Sequence, residues 1–210
     1  MATKKKGSPK KADDTKKTAG SVYQITITLL YSPYPAWRRL LVPADINFEK
    51  FIHLMIVAMG WDDYHMHNFS IDGMEYEGGV QGLDALLGMS MGKKKPRNAA
   101  KEKLSSVLQK GQTGILEYDF GDGWEHLVKV EDVFAKAPEG VKVPCCLEGQ
   151  GACPPEDCGG IPGLEVLVEL MENPALDRNH YDELMEWLGG VKFDKNEFDP
   201  REVNMRILRS

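Results

Sequence analysis

The residues able to do chemistry fall into a few short stretches. All four cysteines lie in PCCLEGQGACPPEDCGG, as Cys145, Cys146, Cys153 and Cys158. Thiolates are strong zinc ligands, and one ion can hold a loop that has no core of its own. The spacing lacks a C-x-x-C knuckle, and adjacent cysteines seldom both reach one ion. A metal set would therefore be Cys146, Cys153 and Cys158 with a fourth ligand from elsewhere. His126, in YDFGDGWEH, is the best fourth ligand. On a strand it shares a face with Trp124 and Val128, so a buried structural histidine competes with the ligand role. Free thiols packed as small apolar groups compete with the metal in the same way.

His65 and His67 form an H-x-H pair in WDDYHMHNF. On a strand both would face one way, which suits a metal, with Asp62 and Asp63 as the neighbouring carboxylates. A plain surface pair beside a turn is the competing reading. His53 and His180 show no partner. Asp119, Asp122 and Glu125 gather around a hairpin, and with Glu156 and Asp157 they would make an acidic pocket for a cation or for acid/base work. Turn chemistry explains them equally, since Asp119 can accept from the turn backbone. Taken together, His65, His67, Asp119 and His126 would form the centre of a metal-dependent hydrolase. Trp37-Arg38-Arg39 offers an aromatic and two guanidinium groups to an anion or partner, or to the acidic body of the chain itself.

Several catalytic classes are excluded. Asp119-Phe120-Gly121 spells a kinase triplet, but no H-R-D loop or glycine-rich nucleotide loop accompanies it. There is no Walker loop, dinucleotide fingerprint, G-x-S-x-G elbow or H-E-x-x-H helix. No nucleophile–base pair is visible, which weighs against an enzyme.

The elements that must position these residues follow from periodicity. Val22 to Leu30 alternates and is rich in β-branched residues, so it predicts a strand, and Trp37 to Val42 predicts a second. Phe48, Phe51, Ile52, Met55, Ile56 and Met59 recur at helical spacing before Gly60. Met66–Ile71 and Met74–Tyr76 flank Asp72-Gly73, a hairpin turn. Leu83, Leu86 and Leu87 suggest one helical turn, and Leu104, Val107 and Leu108 a short helix after a mobile basic loop that starts at Lys93. Strands at 115–120 and 124–130 flank Gly121-Asp122-Gly123. The segment 138–162 is too irregular for a helix or central strand. Helices are expected at 164–171, 181–188 and after Asp199-Pro200. The sum is one α+β domain over residues 22–210: a mixed sheet with a β-grasp-like ββαββ opening, a long hairpin and C-terminal helices packed on it.

Composition sets the class. The 210 residues are 42% hydrophobic and 28% charged, ordinary for a globular chain. No run of about 18 apolar residues predicts a membrane span, and no apolar segment follows the opening lysines, so no secretory signal is expected. Few cysteines and no signal suggest a reducing, cytoplasmic setting. Residues 1–20 carry net +5, leaving net −11 for the rest. Residues 1–21 should form a disordered basic tail, a plain solvated leader or the one place where nucleic acid would be bound. The acidic body argues against a broad duplex-binding face.

These motifs coincide with a known pattern. Pro35-Ala36-Trp37-Arg38-Arg39, Gly60-Trp61 with His65 and Phe69, the run from Tyr118 to His126, the run from Cys146 to Gly160, and Trp187-Leu188-Gly189 with Phe193-Asp194, Phe198-Asp199 and Val203-Asn204 all follow it. From about Tyr23 to Leu208 the chain resembles the plasmid pRiA4b ORF-3-like family. It departs at Gly163-Leu164, where the family often has G-Y, and at Cys145, an extra cysteine that stays out of any site. The resemblance implies the fold and an association with plasmids or mobile elements. It implies no established activity; some family members are labelled resolvases or joined to DNA-binding domains, but no resolvase serine context is present. The expectation is a cytoplasmic binding or adaptor module for an unidentified protein partner, with a cysteine loop suited to zinc. The alternative is the metal-dependent hydrolase.

Overall fold

The computed structural model describes residues 20–78 and 95–210. Residues 1–19, nearly all of the basic tail, and the leucines at 83, 86 and 87 lie outside the described residues.

Strand β1 (Val22–Leu29) buries Tyr23, Ile25, Ile27 and Leu29 and turns Gln24, Thr26 and Thr28 the other way. That period of two commits one face of the sheet to the core. β2 (Trp37–Pro43) returns antiparallel to it. Helix α1 (Phe48–Met59) starts where the Asn47 side chain accepts from the Lys50 N–H, and Phe48, Phe51, Ile52 and Met55 are fully buried on it. Each such side chain contributes about 1.5–3 kcal/mol of burial. Gly60 ends the helix at φ 137°, a conformation with no room for a side chain: a Cβ there would sit 2.6 Å from Cys153 Cβ.

β3 (His67–Ile71) and β4 (Met74–Glu77) form a hairpin turned by Asp72 and Gly73, both at positive φ. β5 (Arg97–Asn98) adds to β4 in parallel. A 3-10 turn (Ala99–Lys101) and α2 (Leu104–Val107) follow. The described part of the basic stretch is anchored, contrary to the mobile loop expected. Leu104 is buried and its N–H donates to Ile46 O, and Phe48 N–H donates to Glu102 O.

β6 (Thr113–Tyr118) and β7 (Trp124–Phe134) make the long ribbon. β8 (Cys145–Gln150) pairs with β2. It lies inside the segment expected to be irregular; as an edge strand it needs only one partner, which tolerates the flanking Gly and Pro. α3 (Gly160–Glu172) and α4 (Arg178–Trp187) come next. α5 (Pro200–Arg209) starts at the Asp199 cap expected from sequence. The eight strands run β5-β4-β3-β6-β7-β1-β2-β8 in one open mixed sheet. The ββαββ order holds along the chain, but the β6–β7 ribbon stands between β3 and β1 in space.

α5 packs on α1 and β8. The Asn204 amide both donates to Cys146 O at 2.9 Å and accepts from Cys146 N–H at 2.8 Å, tying that helix to the edge strand. No helix among the described residues is long and apolar enough to cross a membrane.

Candidate functional site

The turn between β6 and β7 and the cysteine segment meet over Trp61. The Trp61 indole N–H donates to Pro154 O at 2.9 Å, and its ring lies 5.2 Å from Tyr118 and 5.6 Å from Trp124. Asp122 Oδ2 accepts from Gly159 N–H at 3.2 Å. A Cβ on Gly160 would lie 2.3 Å from Asp122 O, so only glycine permits this contact.

His65 Nε2 sits buried where these segments meet. It lies 3.3 Å from Asp157 Oδ1, 3.5 Å from Asp119 Oδ2 and 3.9 Å from Glu156 Oε2. His65, Asp119 and Asp157 are the one group among the described residues whose ligand atoms all lie within 4.8 Å of one another. None of these contacts is a hydrogen bond, and His65 Nε2 and Glu156 Oε2 are buried without a partner. Each carboxylate is held from its other side. Asp119 Oδ1 accepts from Gly121 N–H, Asp157 Oδ2 from the Tyr64 hydroxyl, and Glu156 Oε1 from the Tyr118 hydroxyl and Asp62 N–H. Burial raises the Glu156 carboxyl pKa above its usual value, against those two donors. Asp119 and Asp157 both have left-handed backbone, which aspartate tolerates better than most residues.

The other expected site residues go elsewhere. His67 faces away from His65: its Nδ1 lies 3.4 Å from Asp63 Oδ1, and Asp63 Oδ2 also meets His53 Nδ1. Alternation fails because His65 precedes β3 in a bend. His126 is fully buried, edge-on to Trp61 at 5.2 Å, with Nδ1 3.3 Å from Leu116 O. Burial pulls its pKa down to about 4.

Cys146, Cys153, Cys158 and His126 do not converge: no three of them fall within ligand reach of one another. All four cysteines of the chain are free. Burial pushes the Cys146 thiol up to about 11 and Cys158 to about 12, and raises Cys153 too, which favours neutral, packed thiols.

Arg38 is no anion site either. Its buried guanidinium donates to the carbonyls of Ala58, Met59, Trp37 and Gln150, and lies 4.7 Å from the Phe198 ring centre. Arg39 pairs with Glu131 at 2.6 Å and with Glu148, and packs over Trp37.

The model of the family described as "Plasmid pRiA4b ORF-3-like protein" matches residues 21–202. The chain belongs to the plasmid pRiA4b ORF-3-like family. A relative in that size range is "Uncharacterized protein y4hQ" of Sinorhizobium fredii (strain NBRC 101917 / NGR234), 32% identical over 192 residues, or 89% of this chain and 91% of that protein. Among solved structures, "Protein of Unknown Function MM3350 from Methanosarcina mazei Go1" is similar with TM-score 0.74 and 31% identity. That match covers 89% of this chain and 98% of the other.

The two long signatures by which the sequence resembles the plasmid pRiA4b ORF-3-like family therefore meet at one cluster: Asp119 belongs to the first, Glu156 and Asp157 to the second. The sequence joined Asp119 to His65 in the hydrolase reading, together with His67 and His126, but left Glu156 and Asp157 with the hairpin acids. The pairing of His53 and His67 through Asp63 was missed, because nothing in the spacing shows a carboxylate shared by a helix and a strand.

Proposed function

We propose that the protein is a metal-dependent hydrolase, with a divalent cation held by His65, Asp119 and Asp157 and with Glu156 as general base. The observation that carries this reading is the buried, unpartnered His65 Nε2 facing Asp119 and Asp157 oxygens, with the equally buried and unpartnered Glu156 Oε2 3.9 Å from it. Oxygen and nitrogen ligands around one small cation stand roughly 3 to 3.5 Å apart, and His65 Nε2 stands 3.5 and 3.3 Å from its two partners. One imidazole with carboxylates suits Mn²⁺, Fe²⁺ or Zn²⁺. Three protein ligands leave a position open, and Asp157, with its side chain 62% exposed, lies on the solvent side. In the reaction, water's oxygen bonds to the electrophilic carbon and the bond to the leaving oxygen or nitrogen breaks. Glu156 takes the water proton and returns it to the leaving atom.

The binding-module reading rests on the two shape-holding signatures and the lack of a nucleophile–base pair, with zinc in the cysteine loop as an option. Hydrogen bonds from Trp61 and Gly159 already hold that loop, so zinc is better placed at His65. The test is calorimetric titration of chelator-treated full-length protein with Mn²⁺ and Zn²⁺. One equivalent should bind, and His65→Ala and Asp157→Asn should abolish it. Glu156→Gln should keep the cation. Uptake unchanged in His65→Ala, or no uptake by folded wild type, would sink the reading.

A further inference from the structure

We propose that the substrate of this centre is an uncharged ester or amide carrying a flat apolar group, seated on Tyr64, Met66 and Phe120. This rests on the hydrolytic reading above and adds its specificity. Tyr64 is 58%, Met66 63% and Phe120 49% exposed, each next in sequence to a proposed ligand. Tyr64 and the Met66 backbone also touch the cluster in space, and Phe120 follows Asp119 directly. The Tyr64 ring lies 4.3 Å from His65 and its hydroxyl on Asp157, while Met66 O accepts from Asp119 N–H at 2.9 Å, beside Phe120. Large apolar side chains left in water next to polar catalytic groups are the usual make-up of a ligand site.

Charge narrows the class. Asp119, Glu156 and Asp157 outweigh one divalent cation, and Asp62 adds a further carboxylate at the rim. Arg206 is engaged by Asp62 at 3.6 Å. A phosphate or carboxylate substrate meets net repulsion, whereas an acyl carbonyl presents only a dipole to the ion. Hydrolysis joins water's oxygen to that acyl carbon, and the leaving oxygen or nitrogen departs with a proton.

The experiment uses the full chain, stripped by chelator and reloaded with Zn²⁺. Calorimetry then compares benzohydroxamate, acetohydroxamate and inorganic phosphate, the hydroxamates being chelating mimics of a hydrated acyl group. Benzohydroxamate should bind about tenfold tighter than acetohydroxamate, from burial of its ring, and phosphate should not bind. The Met66→Ser/Phe120→Ser double variant, which alters only exposed side chains, should bring the two hydroxamates to within about twofold with Zn²⁺ uptake unchanged. Phosphate binding, equal hydroxamate affinities in wild type, or full preference in the double variant would overturn the substrate class and leave the cation site standing. Failure of Zn²⁺ to bind wild type, read before any hydroxamate is added, overturns both.

Discussion

The Tyr118 hydroxyl donates to Glu156 Oε1 at 3.0 Å, joining the end of β6 to the cysteine segment. The Tyr118 ring is fully buried beside Trp61, so Tyr118→Phe keeps the packing and removes one hydrogen bond to a carboxylate. Urea denaturation should report a loss of about 1.5–3 kcal/mol. An unchanged midpoint would mean that this bond does not hold Glu156.

His126 makes stability pH-dependent. Its pKa is about 4 in the fold against 6.5 when unfolded. Above pH 6.5 both states are neutral and its contribution is complete. As pH falls through that range the unfolded chain takes the proton first, so stability drops until about pH 4 and then levels. The loss is about 3 kcal/mol. His126→Gln should flatten this part of the stability profile relative to wild type.

Arg38 satisfies four carbonyls from the end of α1, from β2 and from β8. Arg38→Met leaves those buried acceptors unpaired and should cost about 3–5 kcal/mol in chemical denaturation. An anion-binding arginine would show the opposite pattern, with stability kept and anion affinity lost.

Glu131 is drawn down to about 2, chiefly by the Arg39 hydrogen bond, against 4.5 unfolded. Its contribution is present above pH 4.5 and fades as pH falls toward 2. Arg39→Ala should cost about 1 kcal/mol at neutral pH, with the difference from wild type shrinking below pH 4.5.

Periodicity made β1, α1 and both hairpins legible, because each buries one face and repeats accordingly. The acidic members of the site were legible as residue types. Asp119 was paired with His65 from sequence, but the arrival of Glu156 and Asp157 there was not legible, since His65 and Glu156 are 91 positions apart and are united by tertiary bonds such as Trp61 to Pro154 O and Tyr118 to Glu156. The sequence left packed free thiols and a metal loop both open, because closeness along the chain does not fix which sulfurs converge. Cys146 lies on β8 beside Asn204, while Cys153 is wedged against Gly60. The arginines of the Trp37-Arg38-Arg39 run divide by strand alternation, one inward and one outward, which the run alone does not tell.

The strand order has a consequence for the chain as it leaves the ribosome. β1–β2 and β3–β4 can each zip up early, but they are not neighbours. The two hairpins become one surface only when residues through Phe134 have emerged to fill the gap between β3 and β1. Until then the nascent polypeptide exposes the facing edges of β3 and β1, besides the β2 edge that waits for β8, a window in which chaperone engagement is most needed.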